Sequence, residues 1–566
     1  MFSDIRSQLQ NIIEESLKLF CGISPTNDSG RHETIPAVLI DVPADKEHGE
    51  FSCNIALQLS RLLKKSPVLI AQQMVPRLQE LLDASPLKGN ITKIEVKQPG
   101  FINFYLSPEG FYSVLYDVFA QKENYGRSHF GRTQKFCLEF VSANPTGPLT
   151  VAHGRQAAVG DTLANILQAV GFDVTREYYV NDSGNQINIL GRSIKVRAQQ
   201  ILGQDVPLFE DAYQGEYIRV MAQEFMGQHH IKTSADLDQQ PDDVFKKFGW
   251  KYLLEIIKKD LEDFGVKFNT WKFSSDFETP QAVKELLADL RPKGFIYDSE
   301  GACWFKSTLW GDDKDRVVIK SDGLLTYFTP DIVYHKDKFA RGFKHIVNIL
   351  GPDHHGYIPR LKAAAAALGH SKDDLDVVIV QLATIYRDGQ EVSMSTRRGE
   401  FISLREVMDE VGRDAARFFF LMRQVSAHLD FDLALAKKQS PENPVYYIQY
   451  AHARIDSIIR RAQAEAHLTP KTKGIKFLQR PEEMDLMRKI GLYPDILISA
   501  ARTLEPFGLV RFLQELAGAF HKFYDSCRVL DENKELSAER LSLINATQVV
   551  LGNGLRLLGV SAPQKM

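Results

Sequence analysis

Hydrophobic positions change their spacing several times along this chain. In the opening stretch Ile5, Leu9, Ile12, Ile13, Leu17 and Phe20 recur at helical intervals, which predicts an amphipathic helix. "IALQLSRLLKK" and "PVLIAQQMVPRLQELL" predict two more helices, and "ITKIEVKQ" and "FINFYLS" two strands. Residues 1–120 therefore read as an N-terminal α/β unit, and the polar "QKENYGRSHFGRTQ" (121–134) as a linker. The texture then changes. "KFCLEFVS" (135–142) is a buried-strand candidate, followed by a loop rich in proline and glycine. A helix comes next, with Val159, Leu163, Ile166, Leu167 and Val170 on one face and Gly171 ending it, and then a strand at "FDVTREYYV" (172–180). This β-loop-α-β unit is typical of doubly wound sheets.

"HIVNIL" (345–350) and "LDVVIVQLATIY" (375–386) predict further parallel strands of that sheet, with the helix "PRLKAAAAALG" between them. Residues 130–405 thus form a Rossmann-type unit, interrupted at about 187–320 by an amphipathic, helix-rich insertion. From 406 to 566 every apolar stripe is helical, as in "YYIQYAHARIDSIIRRA", so an all-α bundle is expected to close the chain. The fold class is α/β: a Rossmann-type parallel sheet with an N-terminal α/β domain and a C-terminal helical bundle.

Length and composition fit this division. A chain of 566 residues predicts three or four domains, and 44% hydrophobic with 25% charged residues excludes wholesale disorder. A net charge of −3 argues against a protein that holds nucleic acid by bulk charge alone. The cysteines, Cys21, Cys53, Cys137, Cys303 and Cys527, are scattered without a C-x-x-C pair, which predicts neither a zinc site nor a disulfide framework. No metal-ligand set is expected. No secretory signal or apolar run of membrane length is read, so the expected compartment is the cytoplasm.

The candidate chemistry starts at "LEFVSANPTGPLTVAHGR" (138–155). A loop leaving a central strand and feeding a helix N-terminus can bind phosphate through free backbone N–H groups and the helix dipole. Pro145 and Pro148 would stiffen the approach, Gly147 and Gly154 would let a ligand lie close to the backbone, and His153 could donate to a phosphate oxygen. The same residues could also form nothing more than a tight turn. Neither G-x-G-x-x-G nor a P-loop is present.

This stretch resembles the first signature of class I aminoacyl-tRNA synthetases in the form found in arginyl-tRNA synthetases. The resemblance continues through "REYYVNDSGNQI" (176–187), "TYFTPDIVYHKDKF" (326–339), "ILGPDHHGYIPRLK" (349–362), "VSMSTRRGEFISLREVMDEVGRDAARFFFL" (392–421) and "NPVYYIQYAHAR" (443–454), and at the amino end through "HGEFSCNIALQLSRLLKKSP" and "QPGFINFYLS". It implies ATP-dependent activation of L-arginine to arginyl-adenylate. Transfer to the terminal adenosine of tRNA(Arg) follows, with tRNA usually required for the first step. ATP as a substrate with Mg2+, L-arginine and tRNA(Arg) are the implied partners; DNA and membrane are not, and a monomer is expected.

Carried over residue by residue, the resemblance implies ATP contacts at Pro145, Gly147, Thr150, Ala152, His153, Gly154, Met394, Ser395, Arg397 and Arg398. His153 matches the second histidine of the signature. Thr150 and Ala152 stand where the family usually has histidine and glycine, and lysines often found at the positions of Ser393 and Thr396 are missing. Arg397 and Arg398 could supply that charge, since guanidinium grips phosphate in a bidentate way. Glu139 and Asn144 are expected to orient the substrate's α-amino and carboxylate groups, and Tyr327 and Asp331 to face its guanidinium. Thr329 followed by Pro330 predicts a helix start there, with Asp331 alternatively serving only the helix dipole. Asp353 and His354, after a strand end, are expected near adenosine and the amino acid. For tRNA, the resemblance implies Tyr450, Arg454, Tyr524 and Met566 at the anticodon, and Gln98, Phe101 and Asn103 at the D-loop. The rival reading is a tRNA-binding relative that kept the body and lost activation.

Overall fold

The computed structural model describes residues 2–20, 36–43, 45–392 and 401–566. Its amino end packs the helices Ile55–Leu63 and Pro67–Asp83 on a four-stranded antiparallel sheet, with the helix Phe2–Phe20 against the helix Pro67–Asp83. The strand order is Ile40–Asp41, Phe51–Cys53, Phe101–Leu106 and Ile91–Lys97. Ile5, Leu9, Ile13 and Leu17 are all buried, as the spacing requires.

The central sheet is five-stranded and parallel: Leu375–Ile379, His345–Leu350, Lys135–Glu139, Asp173–Val180 and Thr270–Phe273. Lys135–Glu139 is its middle strand. Two expectations are corrected here. The edge strand Thr270–Phe273 comes from inside the 187–320 segment, which therefore completes the sheet rather than merely interrupting it. The same segment also carries a three-stranded antiparallel sheet, Ile296–Ser299, Ala302–Phe305 and Arg316–Ile319. Its strands are four residues each, too short for periodicity to announce them against longer helical stretches.

The run 375–386 is likewise two strands. The first ends at Ile379, and Ala383–Arg387 starts a second sheet, paired in parallel with Leu429–Asp432 and antiparallel with Gln390–Glu391. The region from 406 onward is therefore not all helix. Leu429 and Phe431 point inward and Asp430 outward, a two-residue alternation that is legible in "LDFD".

Beyond it lie the long helices Pro444–Ala466, Pro481–Thr503, Phe507–Ser526 and Lys534–Leu557. One continuous apolar core runs from Ile5 through Leu138 and Leu163 to Leu541, so the end units and the central sheet share their interior. Polar ties reinforce it: the Tyr125 hydroxyl donates to the Ile490 carbonyl (3.1 Å), and Arg488 pairs with the buried Glu50.

Candidate active site

The middle strand ends at Glu139, and the next residues turn sharply. Val141 (φ +67°) and Ser142 (φ +38°) are left-handed, a conformation that a β-branched valine rarely adopts. The turn is held from several sides. Ser142 Oγ donates to Glu139 Oε1 (3.1 Å) and accepts the Tyr179 N–H (3.1 Å), while the buried Tyr178 hydroxyl donates to the Ala143 carbonyl (2.9 Å). The chain is thereby thrown across the C-terminal edge of the sheet, where Asn144 donates to Gln186 Oε1 (2.7 Å).

The helix Val151–Ala169 follows, with Thr150 as its N-cap. His153 Nδ1 accepts the Thr150 N–H (3.1 Å), a bond that requires an unprotonated Nδ1 and so leaves the hydrogen of the neutral ring on Nε2. Burial pushes the ring's pKa down to about 4, against the pull of Asp353. His153 is thus a neutral, aimed donor.

A cavity of about 640 Å³ opens at this edge of the sheet. Glu139, Asn144, His153, Tyr327, Asp331, Asp353 and His354 all line it, seven of the residues singled out from the sequence. Pro145, Gly147, Thr150, Ala152 and Gly154 do not. Gly154 corrects its expected role: a Cβ there would meet Leu404 Cδ1 at 2.8 Å and the Phe420 ring at 3.1 Å, so the missing side chain serves helix packing. Gly147 faces the Tyr217 hydroxyl, which donates to the Thr146 carbonyl (2.8 Å).

The opposite wall is the helix Phe328–Ala340. It begins one residue after Tyr327, not at Thr329, because the Thr329 hydroxyl is buried and donates to the Val318 carbonyl (2.5 Å) instead of capping. Tyr327 is 77% exposed at the rim. Asp331 accepts the Tyr357 hydroxyl, and burial pushes its pKa up to about 7 with that hydrogen bond opposing.

Glu139, expected to help orient the substrate's α-amino group, already has a partner in the fold. It is not a free carboxylate: the fully buried Lys338 ammonium pairs with it and donates to Asn348 Oδ1 (3.0 Å). Burial opposes that ammonium, yet the Glu139 charge holds its pKa above the ordinary value. Asn348 donates in turn to His335 Nε2 (2.8 Å), whose Nδ1 bonds the Asp331 carbonyl (2.7 Å). Beneath them Arg341 grips Glu177 with two bonds (2.6 and 2.9 Å), joined by the Tyr334 hydroxyl (2.7 Å). Sequence reading missed Tyr357, Lys338 and His335. A signal existed: Asp331, His335 and Lys338 form a polar stripe at helical spacing on a helix with a buried face.

Asp353 and His354 sit exposed on the 3-10 turn Pro352–Tyr357, with His354 Nε2 3.4 Å from Asp353 Oδ2. Met394, Ser395, Arg397 and Arg398 lie outside the described residues, as do Ser393 and Thr396. The chain re-enters beside the first signature, where Ser403 bridges Thr150 and the Leu404 N–H bonds the Leu149 carbonyl (2.8 Å).

On the bundle, Arg454 donates to the Tyr450 (2.6 Å) and Tyr524 (3.0 Å) hydroxyls, and Tyr446 stacks on Tyr450 at 6.1 Å. Met566 is exposed and shares a separate cleft with Tyr446. At the amino end Gln98 is exposed and Phe101 half-buried, but Asn103 is corrected: it is 2% exposed and accepts from Ser52 (2.7 Å) inside the sheet.

Comparison with known proteins matches residues 114–423 to the model of the class I tRNA synthetase (R) catalytic domain, more than half of the chain. This chain belongs to the arginyl-tRNA synthetase family. The family's N-terminal domain model matches residues 7–106, and the DALR anticodon binding domain model residues 448–566. The chain is 46% identical over 540 residues to an arginine–tRNA ligase of Citrifermentans bemidjiense, covering 94% of this chain and 95% of that one. It is 42% identical to that of Bacillus subtilis over 567 residues, covering 100% of both. The arginyl-tRNA synthetase structure from Thermus thermophilus superposes with a TM-score of 0.75 at 20% identity, over 99% of this chain and 100% of that one, a likeness of fold. Among the described residues no helix is long and apolar enough to cross a membrane.

Proposed function

We propose that the chain works as the family does, activating L-arginine with ATP and passing the arginyl group to the terminal adenosine of tRNA(Arg). The observation that carries the reading is one cavity lined both by a neutral histidine donor at a helix mouth and by a half-buried carboxylate whose pKa is pushed up to about 7. In the first step an oxygen of the arginine carboxylate attacks the α-phosphorus and pyrophosphate leaves. His153 Nε2–H and the N-terminus of the 151–169 helix would stabilise the phosphate oxygens as their charge grows. Arg397 and Arg398 would add positive charge where the family's lysines are absent. Mg2+ would accompany the triphosphate as part of the substrate, with phosphate oxygens among its ligands. In the second step a hydroxyl of the terminal adenosine attacks the activated carbonyl carbon and AMP departs.

Asp331 would take the guanidinium, with Tyr357 orienting the carboxylate and Tyr327 covering it from the rim. Asn144 would meet the α-amino group. Glu139, already paired with Lys338, would keep the floor polar and its geometry fixed. A fork-shaped site leaves its own groups unpaired when lysine enters, a mismatch that can reach ~10⁴-fold discrimination. Tyr450, Arg454 and Tyr524 would meet splayed anticodon bases, with Gln98 and Phe101 on a second tRNA contact. The chain would act as a monomer. ATP–pyrophosphate exchange with arginine and tRNA tests the reading. Exchange specific to arginine supports it; exchange with lysine overturns the substrate, and none with any amino acid leaves a tRNA-binding relative.

A further inference from the structure

The helix 151–169 carries a buried guanidinium that the chemistry above does not use. Arg155 lies two residues beyond His153, hence on the opposite side of the helix, and is fully buried. Its Nη1 donates to the carbonyls of Gln381 (2.7 Å), Leu382 (3.1 Å) and Ala427 (2.9 Å), and its Nη2 to that of Gln424 (3.0 Å). Those carbonyls belong to the two segments leading into the strands Ala383–Arg387 and Leu429–Asp432. The described partners are all carbonyls, so the guanidinium acts as a four-way clip between the signature helix and the second sheet.

The same clip reaches the bundle. Glu505 sits at the corner between the helices Pro481–Thr503 and Phe507–Ser526, and its Oε2 accepts the Val425 N–H (3.0 Å). The Val425 carbonyl accepts the Gln381 N–H (2.8 Å), and the Gln381 carbonyl accepts from Arg155. An unbroken run of hydrogen bonds therefore joins a bundle corner to the helix that carries His153. The arginine end of the cavity hangs on other elements, the 328–340 helix and the 352–357 turn, and Arg155 bonds neither.

We propose that Arg155 is a positioning residue for the ATP half of the site, and that Glu505 ties its placement to the anticodon-binding bundle. This rests on the reading of the 151–169 helix as the ATP-binding element. A planar fork can serve four carbonyls at once; the point charge of a lysine cannot, so part of the set is left unbonded and the helix shifts against the second sheet. Displacements of that kind are felt as rate, about a hundredfold for 1 Å.

The test is ATP–pyrophosphate exchange on the full chain with tRNA present, for Arg155→Lys, Glu505→Ala and the double variant. Arg155→Lys is expected to lower kcat/KM for ATP by ~10- to 100-fold while the arginine KM and tRNA affinity stay within about twofold. Glu505→Ala is expected to act in the same direction by a few-fold, and to add nothing in the Arg155→Lys background. A purely structural arginine would lower the melting temperature and leave the ATP parameters alone. That result, a parallel rise in arginine KM, or independent effects in the double variant would overturn the proposal. If Arg155→Lys does not fold, Glu505→Ala decides, and unchanged ATP kinetics refute the relay. A wild-type chain that exchanges with no amino acid would sink the functional reading instead, and ATP affinity by calorimetry would then carry the same comparison.

Discussion

Beneath one end of the cavity Lys338 pairs with Glu139 and Arg341 with Glu177, two largely buried ion pairs of which Glu139 reaches the cavity wall. At the other end His153 is neutral, its ring aimed by a backbone N–H, and the helix mouth supplies dipoles instead of full charges. Under the proposed function the contrast follows from what each end would have to do. A slot for guanidinium needs acceptors of fixed geometry before the ligand arrives, and buried charges hold one geometry because leaving it would strand them. Stabilising charge that appears only during reaction calls for oriented donors that need no reorganisation.

Four experiments sharpen or break that contrast. Lys338→Ala should have the largest effect. It leaves Glu139 buried and unpaired, with an expected loss of about 3–5 kcal/mol of stability, read by denaturant unfolding. A loss under about 1 kcal/mol would mean that the floor is well solvated and the contrast is false.

His153→Ala comes next, with exchange slowed ~10²-fold and melting nearly unchanged. Because the ring's pKa is depressed to about 4, wild-type kcat should show no histidine titration between about pH 5 and 8 from this residue.

The third experiment concerns Asp331, whose carboxyl is pushed up to about 7. A guanidinium binds the ionised form, so below that pH binding must first remove a proton. The arginine KM should fall as pH rises from about 5 to about 7 and then level, and Asp331→Asn should abolish the slope and lower kcat/KM at least ~10-fold. Stability should run the other way. The folded chain keeps a proton that the unfolded one, at 3.8, has lost, so this carboxyl's contribution declines as pH climbs through that window. If the arginine KM were flat across the window, Asp331 would not be the guanidinium partner.

The smallest effect is expected at Tyr524→Phe. This removes one hydrogen bond to Arg454, worth ~0.5–1.5 kcal/mol, and should raise the tRNA KM a few-fold while exchange chemistry at saturating tRNA is preserved.

How legible the site was depended on the range of the interactions involved. The bend after the strand and the helix start at His153 were readable because a strand, a bend and a helix mouth are local in sequence. Asp331 and Tyr327 could be singled out by the resemblance, but the cap expected at Thr329 failed, since its hydroxyl is claimed by Val318 eleven residues back. Gly154 looked like a ligand-facing glycine, yet its neighbours Leu404 and Phe420 are some 250 residues away in the chain. Asn103 looked like a recognition residue and is a buried partner of Ser52. Each error came from a contact that local pattern does not encode.

The sequence by itself determined the helices, the strands of the parallel sheet at 135–139, 173–180 and 345–350, and the family, because periodicity and motif are properties of neighbouring residues. Only the tertiary structure decided that Glu139 is already matched by Lys338, that Asp331 holds its proton nearly to neutrality beside Tyr357, and that Arg155 faces carbonyls from two distant segments. The physical reason is that charge state and hydrogen-bond partnership depend on the burial and company a side chain acquires in space, and the pairs concerned are separated in the chain by 26 to 272 residues.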